Sequence, residues 1–254
     1  MIYYPLSTLM SAGIREILII TNPHETTLFQ QLLSDGSQWG LEIEYAIQEQ
    51  PRGIAEALII GENFVGEDKI CLILGDNILH GDGLIEKFNE AIASKQHATI
   101  FGYYVKDPLQ YGVIQFDAND HPVDIIEKPT SSISNYAVIG LYFYQPDVVQ
   151  IAKHLKPSER GELEITDINR HYLKRGKLRV EKLGRGIAWL DTGTPRTLLD
   201  AANFIQVLEE RQGLKIGSPE EMAWRMGYIN DAGLNDLAKK QQNSFYHEYL
   251  LSLL

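Results

Sequence analysis

The run Ile70-Cys71-Leu72-Ile73-Leu74 stops abruptly at Gly75-Asp76-Asn77. Five residues are too few for a typical helix, and they are apolar on both alternating faces, so they read as a central parallel strand covered by helices on each side. Asp76 then lies at the strand's carboxyl end. In open α/β sheets ligands bind along that edge, where a carboxylate can take a divalent metal carrying a phosphate. The same turn also suits an Asx turn or a helix cap made by Asp76 and Asn77.

The chain around this run alternates in the same way. Pro5 at a first helical position and Gly13 at its end make residues 6–12 helical. Residues 17–21 read as a buried strand, 25–33 as a helix with Leu28, Leu32 and Leu33 on one side, 42–48 as a strand, and 54–61 as a helix leading into the Asp76 strand. Such β/α alternation predicts a parallel sheet with right-handed crossovers. Further on, 84–94 is amphipathic, with Leu84, Ile85, Phe88 and Ile92 as its core stripe, and 98–105 is a strand. Residues 111–117 and 123–127 flank Asn119-Asp120-His121-Pro122, which predicts an antiparallel hairpin inserted over the mouth of the site. Residues 136–144 form a long buried strand whose Gly140 marks a bulge or a close approach by a ligand.

Helices over 146–155 and up to Gly176, and a strand over 179–183, lead to a second strand that ends in a carboxylate: Ile187-Ala188-Trp189-Leu190-Asp191-Thr192-Gly193-Thr194-Pro195. Thr194 as N-cap and Pro195 at the first helical position leave Asp191 free for other work. Residues 196–213 make a long amphipathic helix, Ser218 opens a capping box, and 235–254 reads as helix. The expected fold is α/β, a mostly parallel, Rossmann-like sheet with helices on both faces, an antiparallel hairpin insertion and a C-terminal helical extension. Residues 1–194 would form the main domain and 195–254 the extension, packed on that domain or on a partner subunit.

A formal charge of −11 over 254 residues argues against a nucleic-acid surface, which needs concentrated Lys and Arg. It leaves room for a nucleotide or a sugar phosphate held by backbone N–H groups and one or two lysines. The single Cys71 has no partner for an intramolecular disulfide, and a reducing cytoplasm fits. No apolar run is long enough to span a bilayer, and the first residues lack the basic start of a signal peptide.

Several residues suit particular chemistry. Gln48 can both donate and accept, matching the imide edge of thymine or uracil, and Gly53 would let backbone approach a flat ring, although Pro51-Arg52-Gly53 is also an ordinary turn. Lys128, after Glu127 and before Pro129, can neutralise a phosphate or simply sit in an exposed turn. Glu162, near a helix start where the macrodipole favours acids, could accept hydrogen bonds from sugar hydroxyls. Asp76 and Asp191 could share one Mg²⁺ with a nucleoside triphosphate.

These features, together with Met1-Ile2-Tyr3-Tyr4-Pro5-Leu6, Leu74-Gly75-Asp76-Asn77, Tyr111-Gly112-Val113, Glu127-Lys128-Pro129, Asn135-Tyr136-Ala137-Val138, Gly161-Glu162-Leu163-Glu164-Ile165-Thr166-Asp167 and Trp189-Leu190-Asp191-Thr192-Gly193-Thr194, run through the whole chain. In them the sequence resembles the bacterial glucose-1-phosphate thymidylyltransferases of the sugar nucleotidyltransferase family. The resemblance implies that Gln48 and Gly53 read the base and that Asp76 and Asp191 bind Mg²⁺, with Asp76 also beside the nucleotide. It gives Lys128 the phosphate of the sugar phosphate, and a sugar pocket to Tyr111, Gly112, Glu127, Val138, Gly140 and Glu162. The implied reaction joins dTTP and glucose 1-phosphate to give dTDP-glucose and pyrophosphate, in the dTDP-rhamnose route to cell-surface polysaccharide. Neither nucleic acid nor membrane is an implied partner, and the family suggests a cytoplasmic homo-oligomer, a tetramer regulated by a downstream nucleotide sugar.

The resembled family opens with a strand and a glycine-rich Gly-Gly-x-Gly-x-Arg loop that cradles the triphosphate, upstream of the match to Met1, and neither occurs here. The expectation is that Met1 is an internal methionine of a longer product, and that the sheet exposes apolar edges where the strand is missing. The alternative is a shortened, inactive homologue that binds nucleotide sugar or pairs with a complete subunit. A Rossmann dehydrogenase is disfavoured, because no Gly-x-Gly-x-x-Gly follows a strand.

Overall fold

The computed structural model describes residues 1–242 and 244–254. Its centre is the strand made by Tyr136–Tyr144, with every residue from Ala137 onward buried. Side chains on a strand alternate between faces, and here Val138, Tyr142 and Tyr144 enter one core while Ala137, Ile139, Leu141 and Phe143 enter another. Each large buried side chain contributes about 1.5–3 kcal/mol, so this strand anchors the molecule.

In chain order the elements are α1 (Tyr3–Ser11), β1 (Glu16–Thr21), α2 (Thr26–Leu33), β2 (Glu42–Ile47), α3 (Glu56–Ile60), α4 (Glu62–Val65), β3 (Ile70–Ile73), β4 (Asn77–Gly81), α5 (Leu84–Ala93), β5 (Ala98–Tyr104), β6 (Gly112–Phe116), β7 (Pro122–Glu127) and the central β8 (Tyr136–Tyr144). They continue with α6 (Val148–Lys153), α7 (Ile165–Lys174), β9 (Leu178–Lys182), β10 (Ile187–Asp191), α8 (Pro195–Gln212), α9 (Pro219–Arg225), α10 (Asp231–Lys240) and α11 (Phe245–Ser252).

The α/β class holds, with a mixed sheet in place of a mostly parallel one. β1–β2 and β5–β9 are parallel, whereas β8 runs antiparallel to β3, β5 and β6, and β6 and β7 form the expected hairpin. The strand that ends before Asp76 is therefore antiparallel to its neighbour, and its four residues are only partly buried. A short apolar run marks a strand but neither how deeply it is buried nor which way its partner runs, because direction is set by the connection. Among the described residues β1 pairs with β2 alone and β3 with β8 alone. Between them lies a groove of about 340 Å³ lined by Leu18, Ile20, Ala57, Leu58, Ile70 and Leu72.

Both N-caps form, but the reciprocal capping box lies at Thr194 with Thr197, while Ser218 makes only the one-way cap because the Glu221 carboxylate bonds Arg225 and Tyr249 instead. The Thr194 hydroxyl accepts from the Thr197 N–H at 3.2 Å, and Ser218 accepts from Glu221 at 3.3 Å. Residues 235–254 divide into two helices, because Ser244 accepts from the His247 N–H at 3.1 Å and so starts a new one. Leu234 and Ala238 pack against Tyr249 and Leu250 across the turn. Ala223 and Leu237 join Leu6, Leu9 and Met10 in one core, so the last helices close over the first. Leu28 and Leu32 are exposed while Leu33 is buried; α2 presents only one edge of its leucine stripe to the core.

Candidate active site

β4 and β10 form a separate antiparallel ribbon whose register sets Asp191 opposite Asn77. The ribbon's mouth is tied shut by Thr192, whose N–H and hydroxyl donate to the Asp76 carbonyl at 2.9 and 2.8 Å. This brings the two strand-end aspartates together. A Cβ placed on Gly193 would lie 3.1 Å from Asp191 Oδ1 and 3.5 Å from Asp76 Oδ2, so both carboxylates converge on the bare face of that glycine. Burial pushes the Asp191 carboxyl above its ordinary value; the Gly193 N–H, donating at 2.7 Å, works against this, Asp76 adds to it and Lys128 opposes it. A half-buried Asp191 carboxylate near a second acid costs free energy that a shared cation would relieve.

Asp76 and Asp191 open into a cavity of about 180 Å³ that also contains Tyr111, Gly112, Glu127, Lys128, Val138, Gly140 and Glu162. Nine residues singled out from sequence thus share one wall-to-wall space, although they come from six separate stretches of chain. Lys128 sits at the end of β7 with φ of 40°, and its N–H donates to the Tyr111 carbonyl at 3.0 Å, which holds the two lips of the hairpin together. Tyr111 packs edge-on to Trp189, with ring centroids 5.0 Å apart. Glu127 accepts from the Thr166 hydroxyl at 2.5 Å. Gly112 faces both: a Cβ there would be 3.0 Å from Thr166 Oγ1 and 3.2 Å from Glu127 Oε2.

Gln48 and Gly53 lie outside this wall; Gly53 directly precedes Ile54, which lines it. The Gln48 amide donates to the Gly53 carbonyl at 3.2 Å and to Glu56 at 2.8 Å, leaving its own oxygen uncommitted. Gly53 has φ of 103°, and a Cβ would stand 2.4 Å from the Leu163 carbonyl oxygen. Its glycine is therefore demanded by Leu163, whose N–H donates to the Arg52 carbonyl at 2.7 Å while its carbonyl accepts from the Ala55 N–H at 3.2 Å. Gly140 is explained in the same way. Its missing side chain is filled by Asn77 Oδ1 and Leu74 Cδ1, each 2.7 Å from where a Cβ would be.

Sequence reasoning passed over Arg160. Its guanidinium donates to Glu164 at 2.9 Å and to Glu162 at 3.3 Å, and stands 3.6 Å from Glu127. It is the cavity's second cation beside Lys128 among the described lining residues. Three acids within six residues of one arginine were the available signal. Nothing in the sequence spacing of Thr166 and Trp189 points to the glutamate and asparagine they bond.

A sheet-edge cavity with paired carboxylates at one wall and two cations at another defines a phosphoryl-handling α/β protein. The chain belongs to the nucleotidyl transferase family, whose model matches residues 1–207. It is similar to the glucose-1-phosphate thymidylyltransferase of Xanthomonas campestris pv. campestris strain B100, at 55% identity over 253 residues, 100% of this chain and 86% of that protein. The enzyme of the same name from Neisseria meningitidis serogroup A is 51% identical over 254 residues, 100% of this chain and 88% of its own length. Among solved structures, one from Bacillus anthracis described as a glucose-1-phosphate thymidylyltransferase in complex with a sucrose superposes with TM-score 0.72 and 38% identity, over 80% of this chain and 81% of that one. A UDP-glucose pyrophosphorylase complexed with UDP-glucose shares the fold, with TM-score 0.70 at 23% identity over 82% of this chain and 86% of that one.

Proposed function

We propose that the protein is a glucose-1-phosphate thymidylyltransferase, which makes dTDP-glucose and pyrophosphate from dTTP and glucose 1-phosphate. The observation that carries this is the convergence of the strand-end aspartates, Lys128 and the Glu127 lip in one cavity, in a chain at least half identical along its full length to enzymes of that name. A phosphate oxygen of the sugar phosphate attacks the α-phosphorus of dTTP; the new O–P bond forms as the bond to pyrophosphate breaks, and no enzyme-bound intermediate is needed. The protein contributes position and charge.

Lys128 is assigned to the sugar phosphate, with Arg160 beside it. Tyr111, Gly112, Glu127, Val138, Gly140 and Glu162 are assigned to the sugar, and Gln48, Gly53 and Asp76 to the nucleotide. Asp76 and Asp191 would hold Mg²⁺. The fit rests on their convergence and hard oxygen donors; among the described residues no cluster of three acidic, His or Cys side chains could hold a metal, which suits an ion that keeps waters and shares a substrate phosphate. When bound, Mg²⁺ neutralises charge on the phosphates. No helix among the described residues is long and apolar enough to cross a membrane. Exposed Leu198, Leu199 and Val207 on α8 support assembly into a homo-oligomer, and the lone Cys71 suits a cytoplasmic site.

Pyrophosphate release with Mg²⁺ tests the reading. Release that needs both dTTP and glucose 1-phosphate and falls with UTP is expected. Release that ignores the sugar phosphate would contradict it.

A further inference from the structure

Asn77 is buried, with 4% of its surface exposed, directly beside Asp76. Its Oδ1 accepts from the Gly140 N–H at 3.0 Å and from the Trp189 indole N–H at 2.6 Å. Both partners can only donate, so the amide cannot be turned around. Its Nδ2 is therefore forced to face Asp76, and it donates to Asp76 Oδ1 at 2.8 Å. One oxygen of Asp76 is thereby occupied, while the other, Oδ2, is the one that points toward Asp191 over Gly193.

We infer that Asn77 is a positioning residue for the metal: it fixes the rotation of the Asp76 carboxylate so that Oδ2 meets the cation with Asp191. The same amide spans three elements. Gly140 belongs to the central strand and to the cavity wall, and Trp189 packs against Tyr111 at the hairpin lip. The orientation of the metal carboxylate is thus referenced to the two walls assigned to the sugar, not to its own turn. This inference rests on the assignment of Asp76 and Asp191 to a divalent cation.

Simple electrostatics and positioning predict opposite results for one substitution. Asn77→Asp adds negative charge near the cation, which by itself favours binding. It keeps acceptors for Gly140 and Trp189, but it offers Asp76 no donor and sets a like charge against Oδ1. Positioning predicts weaker binding. Asn77→Ser withdraws the amide Nδ2 from Asp76 without adding charge, leaving a hydroxyl on a side chain one atom shorter, and carries the same test if the aspartate variant does not fold.

The experiment is a Mn²⁺ titration of the free protein followed by electron paramagnetic resonance, with folding of each variant checked by its thermal transition. Asp76→Asn and Asp191→Asn are run beside the two Asn77 variants. Expected are loss of Mn²⁺ binding in the Asp variants and at least fivefold weaker binding in folded Asn77→Ser and Asn77→Asp. Parent-like or tighter binding in folded Asn77 variants, with the Asp variants defective, overturns the positioning role alone. Parent-like binding in Asp76→Asn and Asp191→Asn overturns the metal assignment and the inference with it.

Discussion

Asp76 and Asp191, 115 residues apart in the sequence, present carboxylate oxygens to the same face of Gly193, where a Cβ would be 3.5 and 3.1 Å from them. The pairing exists because β4 and β10 are antiparallel partners and Thr192 clamps the Asp76 carbonyl. Such a pair is a strained arrangement in the metal-free protein and a ready one for a cation.

Asp191→Asn should therefore trade function for stability. The folded protein raises the Asp191 carboxyl above its ordinary 3.8, chiefly by burial. A carboxyl raised in the folded state destabilises the fold once it ionises: stability is full below the unfolded value and declines as pH rises through the folded one. Above the folded value the penalty is fully present. In EDTA the asparagine variant should melt about 1–4 °C higher than the parent, with the gain shrinking as the pH falls toward 3.8. Melting curves across that range check it, and a lower transition at pH 7 would count against the strained pair. With metal and substrates the same variant should lose Mg²⁺-dependent turnover.

Gly53→Ala should act through Leu163. The new methyl would stand 2.4 Å from the Leu163 carbonyl oxygen on a backbone at φ 103°, and overpacking against backbone costs about 1–3 kcal/mol. Thermal unfolding should report that loss, and it should be matched by weaker binding of dTTP because the loop carries Gln48. Gln48→Ala leaves the loop's glycine in place and should relax the preference for dTTP over UTP. Competition between the two nucleotides measures it, and an unchanged preference removes Gln48 from base reading.

Gly112→Ala adds a methyl 3.0 Å from Thr166 Oγ1 and 3.2 Å from Glu127 Oε2. The lip assigned to the sugar must give way slightly while the aspartates are untouched. KM for glucose 1-phosphate should rise about tenfold, or roughly 1.4 kcal/mol, with KM for dTTP little changed. Steady-state kinetics with each substrate varied separate the two, and an equal rise for dTTP would misplace the sugar lip.

Lys128→Met retains length and removes charge. Loss of a preorganised charge on a transferring phosphate costs about 100-fold or more in kcat. A tenfold or smaller effect would hand that role to Arg160, which shares the cavity.

How much of this was legible in the sequence depends on the range of the interaction. Strand ends at Asp76 and Asp191, the Thr194 and Ser218 caps and the Asn119-Asp120 hairpin are set by neighbours a few residues apart, and all are where the local chemistry puts them. The direction of β8 against β3 is not local; a run of apolar residues fits either direction. The glycines divide along the same line. Gly53 and Gly140 stood out as places of close approach, but the groups that approach, Leu163 and Asn77, come from 110 and 63 residues away. Arg160 had Glu162 and Glu164 beside it in the chain, but its place in the cavity depends on Glu127, which meets it only in the folded protein.

The most direct test of the central claim is pyrophosphate release from dTTP and glucose 1-phosphate with Mg²⁺, for the 254-residue chain and for a form extended upstream of Met1 by its own reading frame. The account predicts release that depends on both substrates and disappears in Asp191→Asn. Binding of both substrates without release in either form would contradict it and leave a protein that holds nucleotide sugars without making them.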